Sequence, residues 1–304
     1  MTQGRSIRLF LVDGSPNGLL TAEIMNWTGH ALTGPRTRLS ELVKRPECSR
    51  TGIYFLVGPD PDNTARPLVY IGESDDVAKR LKQHNQPEEK GGKDFWERVC
   101  LITSKDQNLT KAHVKYLESQ LIALATASGR CGLKNGTAHD YTILPEADQA
   151  DMAFFIEQIR TILPVLGFDF LREAAAKPAQ ANSIAPPSPT FELILPKYNI
   201  KAQAQEVDGD FIVLAGSKAR DKWVGVKGGY EGLFDQLVTD GVLAPTEGKG
   251  CIFTKDHAFS SPSAAAAVVS GRSANGRISW FVEGIKTTYG EWQAQLIDIG
   301  TGAE

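Results

Sequence analysis

The chain has 304 residues, enough for two hydrophobic cores, with 41% hydrophobic and 23% charged residues and a formal net charge of −3. That balance argues against a uniformly basic nucleic-acid coat, so any nucleic-acid surface has to be local: residues 1–50 hold 7 basic and 4 acidic side chains, residues 191–304 hold 11 and 14. No apolar run approaches the roughly 20 residues of a membrane span, no apolar h-region of a secretory signal follows the opening MTQGRSIR, and Cys48, Cys100, Cys131 and Cys251 lack CxxC spacing, which predicts a cytoplasmic protein with reduced thiols, no membrane partner and no zinc ribbon.

In chain order, SIRLFLV (6–12) predicts a strand, DGSPNG a turn, the stretch around 22–32 a second extended piece, and RTRLSELVK (37–45) a short helix. GIYFLVG and PLVYIG read as two strands of a hairpin whose long loop, PDPDNTARP, is expected to be surface. DDVAKRLKQH opens with an Asp cap and places Val77 and Leu81 at helical spacing; FWERVCLITS follows as a strand, and Thr110 to about Ala127 as the clearest helix. A further amphipathic helix covers 148–163, stopped by Pro164. The Ala/Pro/Ser-rich tract 174–190 predicts a linker. Beyond it, strands are expected near 191–195 and 210–215, helices at 230–240 and 261–270, the latter ended by Gly271, and a strand at ISWFV.

Three features raise a chemical question. On the helix at 110–127, Val114, Leu117, Leu121, Ile122, Leu124 and Ala125 form one apolar stripe, and Glu118 falls inside it. A carboxylate there is costly unless it is paired, reaches water at the stripe edge, or ligates a hard divalent cation. On the helix at 75–85, Arg80 and His84 lie four residues apart beside Val77 and Leu81; such a pair either holds a phosphate or forms a solvated rim. Tyr54 alternates away from Ile53 and Phe55, and Tyr70 from Val69 and Ile71, so adjacent strands put both phenols on one sheet face, whether for packing or for function.

Taken in order, GIY at 52–54, YIG at 70–72, Arg80, Glu118 and Asn135 in LKNG resemble the GIY-YIG nuclease family over about residues 51–140. The resemblance implies an α/β (α+β) module, a short antiparallel sheet flanked by helices, that hydrolyses DNA phosphodiesters with one Mg2+ or Mn2+. It implies that Glu118 ligates the metal, that Tyr54 helps deprotonate the attacking water, that Arg80 and Tyr70 stabilise the charged transition state, and that Asn135 supports the site. His84 takes a helix position that is polar or basic in many members. One departure stands out: Glu73 follows YIG where several members carry Lys.

Residues 259–284, FSSPSAAAAVVSGRSANGRISWFVEG, resemble an uncharacterised domain appended to bacterial GIY-YIG proteins and domains associated with restriction enzymes and DNA adenine methylases. Arg272, Arg277 and Trp280 are its candidate nucleic-acid contacts, against the alternative of solvated arginines and a core Trp. The expected organisation is an N-terminal extension (1–50), the nuclease-like domain (51–140), a helical extension (141–173), the linker (174–190) and a separate C-terminal α+β domain (191–304) for substrate recognition. The resulting expectation is a metal-dependent DNA endonuclease, with restriction or repair, or a mobile-element role, all compatible with it. The alternatives are a non-catalytic nucleic-acid-binding protein that keeps the nuclease scaffold and a hydrolase of small phosphodiesters or nucleotides.

Overall fold

A computed structural model describes residues 4–61, 66–106, 108–136, 144–172, 188–207, 209–226, 230–246 and 250–301. The middle of the PDPDNTARP loop (62–65) and residues 174–187 of the expected linker lie outside the described residues. The chain divides into a first unit over residues 3–173 and a second from residue 174 onward.

In the first unit the described strands are β1 (Ile7–Leu11), β2 (Leu20–Ile24), β3 (Gly29–Pro35), β4 (Gly52–Pro59), β5 (Pro67–Ser74), β6 (Arg98–Ser104) and β7 (Gly132–Leu133). They form one sheet in the order β1-β2-β3-β6-β4-β5-β7, with β5 and β7 parallel and the other pairs antiparallel. The strands within residues 7–35 thus continue the same sheet as the GIY and YIG strands, joined to it through β3 and β6. The helices are α1 (Leu39–Leu42), α2 (Val77–His84), α3 (Lys111–Ser128) and α4 (Glu146–Val165).

Alternation along the strands separates two cores. Ile53, Phe55, Val69 and Ile71 share one with Val114, Leu117 and Leu121 of α3 and Phe155, Ile156 and Ile159 of α4. Tyr54 and Leu56 share the other with Leu42, Val77 and Leu81. β4 is therefore covered on both faces, and Ile53, Tyr54, Phe55 and Leu56 are all fully buried. Burying side chains of this size contributes about 1.5–3 kcal/mol each.

Two expected helices differ in extent. The stretch 37–45 makes a 3-10 turn at Arg36–Arg38 and then only Leu39–Leu42, because Pro46 opens another short turn. The helix at 148–163 runs from Glu146 to Val165 and takes Pro164 into its last turn, where the missing N–H removes one hydrogen bond and the helix ends within two residues.

The second unit holds β8 (Phe191–Leu195), β9 (Ile200–Val207), β10 (Asp210–Val213), β11 (Lys218–Ala219), α5 (Glu231–Thr239), β12 (Leu243–Pro245), β13 (Cys251–Phe253), β14 (His257–Phe259), α6 (Pro262–Ser270), α7 (Gly276–Ser279), β15 (Phe281–Val282) and α8 (Tyr289–Thr301). Its described strands form a sheet ordered β14-β10-β9-β8-β15 and a smaller one ordered β11-β13-β12. The mixed α/β module and the separate C-terminal α+β unit expected from sequence are both present. ISWFV is not a strand throughout: the Asn275 side chain accepts from Arg277 N at 3.0 Å and starts the α7 turn, leaving only Phe281 and Val282 extended.

Candidate active site

The β4–β5 register sets Tyr54 opposite Gly72 and Leu56 opposite Tyr70, so both phenols occupy the same sheet face. Their ring centroids are 6.2 Å apart; Tyr54 is buried and Tyr70 half-buried. The Tyr54 ring and hydroxyl lie over Gly72, where a Cβ would overlap them. The glycine of the second tripeptide thus makes room for the tyrosine of the first.

Asp76 caps α2 by accepting from Lys79 N at 3.0 Å, and Val77 and Leu81 bury the inner side of the helix. The next turn brings His84 under the phenols: its ring lies 5.5 Å from Tyr54 and 5.2 Å from Tyr70, and Nε2 is 2.7 Å from the Tyr54 hydroxyl. Burial, then the charges of Arg80 and Lys93, push the imidazole down to about 4, so at neutral pH it is uncharged and shares a hydrogen bond with the Tyr54 hydroxyl through Nε2. Nδ1 has no partner among the described residues. Burial raises the Tyr54 phenol well above its ordinary range, and Tyr70 adds to the rise, while Arg80 opposes it. The Arg80 guanidinium is coupled to both phenols and donates to Gln83 Oε1 at 2.9 Å.

Glu118 sits half-buried on α3, a helix capped by Thr110 and ended by Gly129 at φ 64°. Its carboxyl is pushed up to about 7, first by burial and then by the Glu73 carboxylate; Lys111, Arg80 and a backbone N–H of Glu73 pull it back. Glu73 is itself paired, with Lys111 Nζ at 2.6 Å, and the same ammonium reaches Asp75 at 3.4 Å. The acid that departs from the family pattern is thereby neutralised across the α3–β5 contact. Asn135 holds the outer edge of β5. β7 pairs only with Leu68 and Val69; past that point the Asn135 side chain accepts from Ile71 N at 3.0 Å and donates to Ile71 O at 2.6 Å, as a neighbouring strand would.

The residues suit a hard divalent cation. Glu118 is an oxygen donor whose ionised form is disfavoured by burial and by a neighbouring carboxylate, a penalty a cation removes. Among the described residues there is no cluster of three His, Cys, Asp or Glu, so a cation held at Glu118 would take one protein carboxylate and fill its remaining positions with water, which fits Mg2+ better than structural zinc.

Sequence reading did not single out Lys93 and Lys134. The Lys93 ammonium lies 4.1 Å from the Tyr70 ring centroid, and the Lys134 N–H donates to Val69 O at 2.8 Å beside Asn135. Lys93 belongs to a loop without periodicity, and nothing local marks it.

In the second unit Trp280 is fully buried, and its Nε1 donates to Pro262 O at 3.0 Å. That corrects the expectation that it stacks on nucleic acid: it is a core residue of the α6–α7 corner. Arg277 donates to Gln293 Oε1 at 2.7 Å and to Gly290 O at 3.4 Å, whereas Arg272 is exposed just beyond the Gly271 cap.

Residues 51–129 match the family model described as the GIY-YIG catalytic domain, and residues 193–293 match a domain of unknown function, DUF4357. No curated protein and no solved structure matches the chain. The matched nuclease stretch contains Tyr54, Tyr70, Arg80, His84 and Glu118; Asn135 lies beyond it.

Proposed function

The chain carries a GIY-YIG domain over 51–129 and a DUF4357 domain over 193–293, and from that make-up we propose that it is a divalent-metal-dependent endonuclease hydrolysing DNA phosphodiester bonds. The observation that carries the reading is Glu118, half-buried and pushed up to about 7, electrostatically coupled to Arg80, which is coupled in turn to both phenols. Glu118 would hold the cation, which would supply Lewis-acid polarisation of the phosphate and lower the pKa of the attacking water. Arg80 and Tyr70 donate to the non-bridging oxygens as negative charge builds on them.

Tyr54 takes the proton of the attacking water while passing its own to His84 Nε2, along the 2.7 Å contact. Arg80 and Lys93 depress His84 while they stand unneutralised. A phosphate at Arg80 removes that residue's share of the repulsion and raises the basicity of the imidazole as substrate arrives. The water oxygen adds to phosphorus, one P–O ester bond breaks, and the leaving oxygen is protonated from solvent. Asn135 is a positioning residue: both of its amide atoms are spent on Ile71, which fixes the strand between Tyr70 and Gly72.

The non-catalytic alternative draws on Glu73, and its pairing with Lys111 weakens that argument. The test is incubation with plasmid, linear duplex and single-stranded DNA in Mg2+ or Mn2+, beside Glu118→Ala. Cleavage by the wild type that is lost in Glu118→Ala is expected. Cleavage that survives in the variant contradicts the mechanism, and binding without cleavage by the wild type favours the scaffold reading.

A further inference from the structure

Lys93 and Lys134 stand around Tyr70 with no part in the chemistry above. The Lys93 main-chain N–H donates to His84 O at 2.9 Å, folding the loop back over the end of α2, and its ammonium rests on the Tyr70 ring face at 4.1 Å from the centroid. It is therefore set apart from the hydroxyl, the end of the ring at which Arg80 acts. Lys134 follows β7, at the outer edge of β5. Leu133 packs against the core that holds Val69 and Ile71, so alternation turns exposed Lys134 to the face that carries Tyr70.

Neither lysine, nor Arg80, forms an ion pair among the described residues; Glu88 is the acid whose charge reaches Lys93. Lys93 titrates below the usual lysine range, first because it is partly desolvated and then because Arg80 and Lys134 repel it. Two cations repelling a third that is partly desolvated and seated on Tyr70 cost stability that an anion would return. Arg80 and Tyr70 already account for one phosphate.

Resting on the nuclease reading, we propose that Lys93 and Lys134 form a second phosphate position beside the scissile one, taking a neighbouring phosphate of the same strand, so that the site accepts a polynucleotide rather than an isolated phosphodiester. A small diester fills only the Arg80–Tyr70 position and leaves the lysines unneutralised. A strand neutralises all three cations in one event and releases the counterions condensed on both phosphates.

The experiment is equilibrium binding of a short fluorescein-labelled DNA to the full-length chain in EDTA, which prevents cleavage, as a function of KCl. The double variant Lys93→Met/Lys134→Met is expected to reduce the slope of log affinity against log salt by about 0.7–0.9, the share of the one phosphate the two lysines hold, with each single Met variant losing part of that. Lys93→Arg and Lys134→Arg keep the slope, which separates charge from packing on Tyr70. Lys201→Met, in the second unit and paired there with Glu192 at 3.0 Å, is the control. Unchanged slopes in both Met variants overturn the proposal, as does equal loss in the Met and Arg variants. A parallel Mg2+ cleavage assay on the wild type keeps the two readings apart. Slopes that respond without cleavage leave the phosphate position standing and remove the nuclease reading; cleavage with unresponsive slopes removes the phosphate position alone.

Discussion

The Tyr54 phenol lies directly over Gly72, its cross-strand partner, with no room between them for a β-carbon. The two tripeptides are therefore one packing unit, and the first prediction concerns that unit. Gly72→Ala forces Tyr54 off His84 or bends the strand. The expected outcome is a stability loss of about 1–3 kcal/mol in urea unfolding and a fall of at least tenfold in cleavage rate, the rate falling more than stability alone accounts for.

Asn135 completes the ladder at the β5 edge through both amide atoms. Asn135→Asp keeps the acceptor toward Ile71 N but sets a carboxylate oxygen against Ile71 O. We expect a loss of about 1–3 kcal/mol and faster amide hydrogen exchange at Ile71, with exchange at Ile53 in the covered strand changed much less. Equal acceleration at both positions would mean global loosening instead.

His84 supplies a pH prediction. Its folded pKa of about 4 lies below the ordinary 6.5, held there by burial, Arg80 and Lys93, with the two phenols as its other near neighbours. Below pH 6.5 the unfolded chain binds a proton that the folded chain refuses, so this contribution to stability is present above 6.5 and is lost as pH falls toward 4. Urea unfolding between pH 7 and pH 4 should show the wild type losing stability with a steeper slope than His84→Asn. Parallel slopes would contradict the assignment.

Glu118 titrates in the opposite sense. Its carboxyl is pushed up to about 7, so protons compete with a cation throughout the acid range. Mn2+ affinity measured by calorimetry is expected to rise about tenfold per pH unit up to about pH 7 and then level off, and Glu118→Gln should abolish the site. A flat affinity between pH 5 and pH 8 would remove Glu118 as the ligand.

The site was readable in the sequence where chemistry and periodicity disagreed. Glu118 announced itself by sitting within the stripe of Val114, Leu117 and Leu121, and the structure leaves it half-buried there. The shared face of Tyr54 and Tyr70 followed from strand alternation and holds. Glu73 read as a difficulty because its partner, Lys111, lies 38 residues away on another element. Lys93 was invisible for a similar reason: its place on Tyr70 depends on a loop folding back along α2, which no local pattern encodes. The sheet was underestimated because its register joins β3 to β6 across the whole GIY hairpin. In the second unit β9 escaped notice, since its inward residues include Ala202 and Ala204 rather than branched or aromatic side chains. Trp280 shows the converse, an aromatic shortly after two arginines whose indole is wholly occupied by the core.

The central claim is that one carboxylate on α3 organises phosphodiester hydrolysis beside Arg80 and the two phenols. Single-turnover cleavage of duplex DNA with saturating protein and Mg2+, comparing the wild type with Glu118→Gln, tests it most directly. The account predicts a rate lower by at least about a thousandfold in the variant, with DNA affinity in EDTA unchanged, as expected when a group acts chiefly in the transition state. A Glu118→Gln protein that cleaves at close to the wild-type rate would contradict it.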